Sequence, residues 1–185
     1  MRKEIRVGPS VCILSCSLSD NSRSRLLCRH ADSVLKATNR PSTLVDLKDH
    51  RILPHGMEGS QGIDDIRNDL VTAGGILIGF PIYNHTMNSS LKAVIERFGR
   101  AMENKVVGLM MAAGGRSSYM GSLDVAASLM FYFRTWIVPR SVYATSDDFE
   151  ENRTRIVNEE VSERVEELAR TVTVKAWQHT QPSPY

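Results

Sequence analysis

The chain has 185 residues, 42% of them hydrophobic, and its 23 basic side chains nearly balance 21 acidic ones for a net charge of +2. That length suffices for a core without metal or disulfide staples, and the scattered, balanced charge leaves no electrostatic footprint for nucleic acid. Cys12, Cys16 and Cys28 match neither a zinc ribbon nor a secreted disulfide scaffold, so a reducing, cytoplasmic setting without a metal site is expected. No apolar run approaches the roughly 18 residues of a membrane span, and "MRKEIRVGPS" lacks the apolar stretch of a signal peptide; neither membrane nor nucleic acid is an expected partner.

In chain order, "VCILSC" (11–16) predicts a first strand, and after the polar loop "SLSDNS" Leu26, Leu27, Ala31, Val34 and Leu35 share one helical face. "TLVDL" (43–47) predicts a second strand. A loop with Pro54, Gly56, Gly59 and Gly62 follows, and Ile63, Ile66 and Leu70 mark a short helix leading into the strand "GGILIGF" (74–80). A helix over 89–102, the strand "KVVGLMMA" (105–112), a helix over 118–134, the strand "WIVPRSVYA" (136–144) and a charged amphipathic helix over 151–178 complete the pattern. Residues 1–178 read as one domain and 179–185 as a loose tail.

Strands alternating with helices, the first, third and fourth strands being almost wholly apolar, predict an α/β fold: a doubly wound, five-stranded parallel sheet with helices on both faces. The order 2-1-3-4-5 is expected for a domain of this length.

Three loops then fall at carboxyl ends of strands, where such sheets gather ligands. The first presents hydroxyls at Ser17, Ser19, Ser22 and Ser24 with Asn21 among them, just before a helix. The free N–H groups and positive dipole end there favour an anion, such as one terminal phosphate. The plainer alternative is that Ser22 or Asn21 simply caps the helix. The chain holds neither GxxxxGK[ST] nor GxGxxG, which disfavours nucleoside triphosphate and Rossmann dinucleotide sites. The second loop follows Pro81, which is expected to end the strand at Phe80 and to present Tyr83, Asn84, His85 and Thr86 at the rim, where a planar ligand could rest. An ordinary surface turn with a helix cap at Asn88 or Ser89 is the alternative. In the third loop Gly114 and Gly115 remove side chains from the path of an approaching ring and Arg116 adds positive charge, against a plain strand-to-helix turn.

On these residues the chain resembles the NADPH-dependent FMN reductases of the flavodoxin-like superfold, a group that includes quinone, azo-dye, chromate and sulfonate-system flavin reductases. "CSLSDNSRSRLL" stands in the place of their phosphate loop, "PIYNHTMNSSLKAVIERFGR" in the place of a PxYN…LK block, and "AAGGRSSYMGSLDVAASLMFYFRTWIVP" in the place of their GG segment and following helix. The resemblance runs from about residue 10 to 145. It departs at Cys16 for a glycine, at Asn88-Ser89 for Pro-Gly, and at Ser19 for an arginine whose charge Arg23 or Arg25 would have to replace from the helix.

The resemblance implies bound FMN, NADPH or NADH as donor, and hydride passing to a small acceptor: a quinone, azo compound, metal oxyanion or free flavin. Ser17, Ser19, Asn21, Ser22 and Ser24 would hold the phosphate. Pro81, Ile82, Tyr83 and Asn84, with the backbone near His85 and Thr86, would border the isoalloxazine ring. Gly114 and Gly115 would lie at its pyrimidine edge beside Arg116 as a charge stabiliser, and no catalytic side chain is required. Relatives use the region of helix 89–102 for contacts between subunits, so a homodimer or homotetramer is implied. An FMN electron carrier and a cofactor-free binding module share the fold, but carriers are strongly acidic and this chain is not.

Overall fold

The computed structural model describes residues 9–180. Its strands are β1 (Val11–Ser15), β2 (Ser42–Asp46), β3 (Gly75–Tyr83), β4 (Thr86–Met87), β5 (Val106–Ala112), β6 (Trp136–Ile137) and β7 (Val142–Ala144). Its α-helices are α1 (Arg23–Ala37), α2 (Ile63–Thr72), α3 (Ser89–Phe98), α4 (Leu123–Ala127) and α5 (Glu159–Thr180). β1 and β5 are buried at every position and β3 at all but its last, as a sheet covered on both faces requires. The sheet order is β2-β1-β3-β5-β6, with β7 also on β5 and all these pairs parallel; only β4 runs antiparallel, against β3. This is the doubly wound order expected from the sequence, its fifth strand being β6 and β7 together.

Period-two alternation sorts each strand between two cores. Cys12 and Leu14 of β1 and Ile76, Ile78 and Phe80 of β3 pack with α2, α3 and α4 through Leu70, Val94 and Val125. Val11 and Ile13 face the other way, toward Leu27, Ala31 and Leu35 of α1 and Val165, Leu168 and Val172 of α5. On that second face glycines let the helices approach. A Cβ at Gly79 would stand 2.1 Å from Cys28 Sγ, and one at Gly108 would stand 2.9 Å from Val172 Cγ2.

Pro81 does not end the third strand; β3 continues to Tyr83. Gly79 turns its carbonyl to Cys16 N at 2.8 Å on the β1 side. Alternation places Pro81 on that same side, past Ser15, where the β1 pairing has stopped, so the N–H that proline lacks has no ladder bond to make. "YNHT" is a tight hairpin rather than an open loop. Tyr83 pairs with Thr86, and Asn84 (φ 50°) and His85 (φ 64°) both adopt the left-handed backbone of a type I′ turn.

The expected helix over 118–134 is broken into a 3₁₀ segment (Arg116–Ser122), α4 and a π-helical turn (Ser128–Tyr132). Ser118 leaves helical geometry (φ −101°, ψ 17°), and Gly121 is pressed against the hairpin, where a Cβ would meet Ile82 Cδ1 at 2.8 Å and the His85 carbonyl at 3.2 Å. The strand over 136–144 is likewise split. Pro139 and the left-handed Arg140 (φ 61°) bulge outward, so that five residue steps from Ile137 to Val142 span what three span on β5.

The charged helix begins at Glu159 rather than at 151, because the preceding segment satisfies its own polar groups. Phe149 and Ile156 form an antiparallel bridge, Glu150 pairs with Arg155, and Asn158 Oδ1 accepts from Glu160 N at 3.0 Å as a cap for α5. His179 and Thr180, expected in the tail, continue this helix; 181–185 lie outside the described residues. Leu91, Val94, Ile95 and Phe98 of α3 are buried in the chain's own core, so its apolar face is not free for a second subunit.

The three cysteines are also core. Burial first, then the neighbouring Asp69, pushes Cys12 up to about 12; burial and Asp46 push Cys28 up to about 12; burial raises Cys16 as well. A thiol-exchange reagent at neutral pH is therefore expected to label none of them in the native chain and all three after denaturation, read by absorbance of the released chromophore. Rapid labelling of Cys16 in the native protein would contradict this packing.

Candidate functional site

The chain leaves β1 for β2 on one side and returns to β3 on the other, so the carboxyl ends of β1 and β3 flank the crevice where doubly wound sheets bind ligands. A cleft of about 660 Å³ opens there, within the range of small-molecule sites. Its walls are Ser17, Ser19, Asn21, Ser22, Arg23 and Ser24 after β1, Pro81, Ile82, Tyr83 and Asn84 at the end of β3, Ala112, Ala113 and Gly114 at the end of β5, and Arg153 from the segment before α5. The three corners expected from the sequence do converge.

The first corner is built by α1. Ser22 caps the helix from an extended backbone (φ −100°, ψ 121°), its Oγ accepting from Arg25 N at 3.2 Å, so the capping reading holds and does not exhaust the loop. The Ser22 and Ser24 hydroxyls lie 3.1 Å apart and share one proton, leaving the other to donate elsewhere. Ser17 Oγ accepts from Ser19 N at 3.3 Å and keeps its own proton. No acidic side chain occupies the first turn of α1, so the positive helix end is uncompensated by the protein.

Arg25 was a candidate for the missing loop charge, and the structure excludes it from the cleft. Its guanidinium is buried, pairs with Asp46, and donates from Nη1 to the Ser19 carbonyl at 2.6 Å and from Nη2 to the Ser17 carbonyl at 2.8 Å. It holds the loop from beneath. Arg23, two positions earlier and so across the helix, does line the cleft, and its Nε is buried without a hydrogen-bond partner among the described residues.

The second corner is tied to the first. Asn88 stands at the start of α3, but its side chain does not cap that helix. Asn88 Nδ2 and Ser90 Oγ both donate to the Cys16 carbonyl, at 2.7 and 2.6 Å, fastening the hairpin's far end to the end of β1. Tyr83 is about half exposed at the rim (54%).

At the third corner a Cβ on Gly114 would meet nothing within 4 Å, so the backbone is open to the cleft. Its carbonyl accepts from Ser146 Oγ at 2.8 Å, and that of Gly115 accepts from the Tyr143 hydroxyl, which fixes the segment from behind. His85, Thr86, Gly115 and Arg116 are not among the cleft's walls. Thr86 instead bonds the Asp124 carboxylate, and the charge of Arg116 acts on Asp148. Burial alone would raise that carboxyl; the Thr145 amide (2.6 Å), Asn158 Nδ2 (2.6 Å) and the Thr145 hydroxyl outweigh it, Arg116 adds to them, and Asp148 is held below the ordinary carboxylate value. Sequence reasoning missed Ala112 and Ala113, which simply extend the glycine segment, and Arg153, hidden in a charge run that reads as helix.

Strand order, switch-point cleft and a hydroxyl-rich helix start define a flavodoxin-like α/β protein. The model of the NADPH-dependent FMN reductase family matches residues 9–150, and the chain belongs to that family. It is thus an NAD(P)H:acceptor oxidoreductase of the FMN-dependent kind. The NAD(P)H-dependent FAD/FMN reductase of Geobacillus thermodenitrificans (strain NG80-2) is 31% identical over 139 residues, covering 72% of this chain and 75% of that protein. Among solved structures, the apo form of an NADH:FMN oxidoreductase superposes with a TM-score of 0.76 at 17% identity, covering 95% of this chain and 92% of that one. A flavoenzyme NAD(P)H:(acceptor) oxidoreductase from Paracoccus denitrificans gives 0.72 at 12% identity, covering 92% and 98%. A WrbA-like flavodoxin protein from Agrobacterium tumefaciens gives 0.66 at 15%, covering 94% and 99%. No helix among the described residues is long and apolar enough to cross a membrane.

Proposed function

We propose that the switch-point cleft holds FMN and that the chain reduces a small acceptor, a quinone, azo compound, metal oxyanion or free flavin, at the expense of NADPH or NADH. The observation that carries this reading is one cleft uniting spare hydroxyl donors at an uncompensated helix start with a glycine backbone open to an approaching ring. A phosphate monoester suits the first end and a flat conjugated ring the second. When bound, FMN supplies the hydride relay between nicotinamide and acceptor.

The chain's own residues bind and orient. Ser17, Ser22 and Ser24, with Asn21 and Ser19 beside them, take the phosphate. Pro81, Ile82, Tyr83 and Asn84 border the ring, whose edge is held in place by the type I′ hairpin. Gly114 admits the pyrimidine side to the main chain, and Gly115 follows it just outside the cleft's walls. His85 and Thr86 contribute by fixing the turn rather than by contact, and Arg116, outside the cleft's walls, is kept as a positive charge following the glycine segment rather than as a contact to the ring. A reduced cytoplasm suits three buried thiols. A homodimer or homotetramer belongs to the same reading, with the polar outer face of α3 and exposed Tyr119, Leu123, Phe131 and Tyr132 as the surfaces offered.

The test is an absorbance titration of the purified chain with FMN, followed by NADPH and then a quinone. A saturable shift of the flavin bands, bleaching by NADPH and steady turnover with the quinone are expected. Saturable FMN uptake with no reaction toward NADPH or NADH would leave an electron carrier, and no uptake at all would overturn the cofactor assignment.

A further inference from the structure

Residues 149–156 form a strap that brings a second cation to the cleft. Phe149 is buried and bridges to Ile156, and Arg153 N donates to the Glu150 carbonyl at 2.8 Å to close the turn between them. Below the strap, Val157 N donates to the Asp148 carbonyl at 2.9 Å. At the tip Arg153 takes a left-handed backbone (φ 55°), and its Nη1 reaches back to the Asn21 carbonyl at 3.1 Å, across 132 residues of sequence. The tip lies just past the residues 9–150 that define the family.

Arg153 and Arg23 thus stand on the wall that carries the Ser17, Ser22 and Ser24 hydroxyls. Two like charges crowd there. Arg23 is held below the ordinary arginine value, first by burial and then by the charge of Arg153, with Asp147 opposing, and its Nε has no acceptor among the described residues. Two guanidinium forks lining the same cleft as hydroxyl donors suit the oxygens of a phosphate dianion.

We propose that Arg153 at the strap's tip and Arg23 on α1 form a two-arginine clamp for the flavin's 5′-phosphate, making the cleft select FMN over riboflavin. This rests on the FMN reading above. A nicotinamide dinucleotide also offers phosphate, but the pair flanks the helix start that carries the spare hydroxyls, which assigns it to the flavin.

Flavin-fluorescence titrations with FMN and with riboflavin, at low and high salt, test the clamp without relying on turnover. Arg153→Ala is expected to raise the FMN dissociation constant about tenfold or more, as loss of a charge-assisted bond predicts, and to leave riboflavin binding unchanged. The salt dependence of FMN binding should weaken with it. Arg153→Lys, which keeps the charge without the fork, should fall between. Arg170→Ala, which removes an equal charge from an exposed pair on α5, should bind FMN like the unaltered chain. The clamp is overturned if Arg153→Ala binds FMN as before, if it weakens riboflavin and FMN alike, or if only the KM for NADPH moves. Failure of the unaltered chain to bind FMN would instead overturn the cofactor reading, and the clamp with it.

Discussion

Arg25→Ala is expected to destabilise the fold by about 3 kcal/mol, the scale of breaking a buried ion pair, and to weaken FMN binding by far more than any single hydroxyl deletion. The reason is where its donors go. One guanidinium pairs with Asp46 at the end of β2 and satisfies the carbonyls of Ser17, Ser19 and Asp20, so its removal strands a carboxylate and three backbone acceptors together. Those carbonyls belong to the loop whose hydroxyls face the cleft. Arg25→Lys should rescue little, since a point charge cannot serve acceptors spread around a planar fork. Urea midpoints and FMN titrations of both variants check this. An alanine variant that kept native stability and affinity would show that the loop is held by something other than Arg25.

The same helix start shows how far the sequence could be read. The corners of the cleft were legible because apolar runs such as "VCILSC" and "KVVGLMMA" have one structural solution in a covered sheet, and polar loops must follow them. Which arginine faces the cleft was not legible. Arg23 and Arg25 both sit in the first turn of α1, and only the third dimension, with β2 bringing Asp46 beneath the loop, sends one inward and leaves the other on the wall. Pro81 misled because its local rule ignores that β1 has already ended. Residues 151–158 misled because a charge run with helical composition was satisfied by bonds local to a strap. These errors coincide with the cleft. Asn84, His85 and Arg153 all hold left-handed backbones at its edge, where local preference is overridden to place a group.

Asn88 and Ser90 illustrate the same override in the core. Two donors converge on the Cys16 carbonyl, which lies where β1 has no further ladder partner. A buried carbonyl must be paired, and here the pairing doubles as the fastening between the hairpin and the hydroxyl loop.

Gly79→Ala is expected to have a large packing effect, and a double-mutant cycle with Cys28 isolates its cause. The new Cβ would stand 2.1 Å from Cys28 Sγ and 3.1 Å from the Ser24 carbonyl, so α1 must move away from the sheet; overpacking of this kind costs about 1–3 kcal/mol. Because Ser24 lies on the cleft, the same movement should weaken FMN binding. Cys28→Ala alone deletes one buried sulfur and is expected to be destabilising by about 1 kcal/mol. If the sulfur is the obstacle, the double variant Gly79→Ala/Cys28→Ala should be markedly more stable than the sum of the two single effects, by a coupling of about 1 kcal/mol or more, and should regain most of its FMN affinity. Recovery should stop short of complete, because the Ser24 carbonyl remains 3.1 Å from the added carbon. Strictly additive effects in denaturant titrations would mean that α1 is positioned by contacts other than its approach to Gly79.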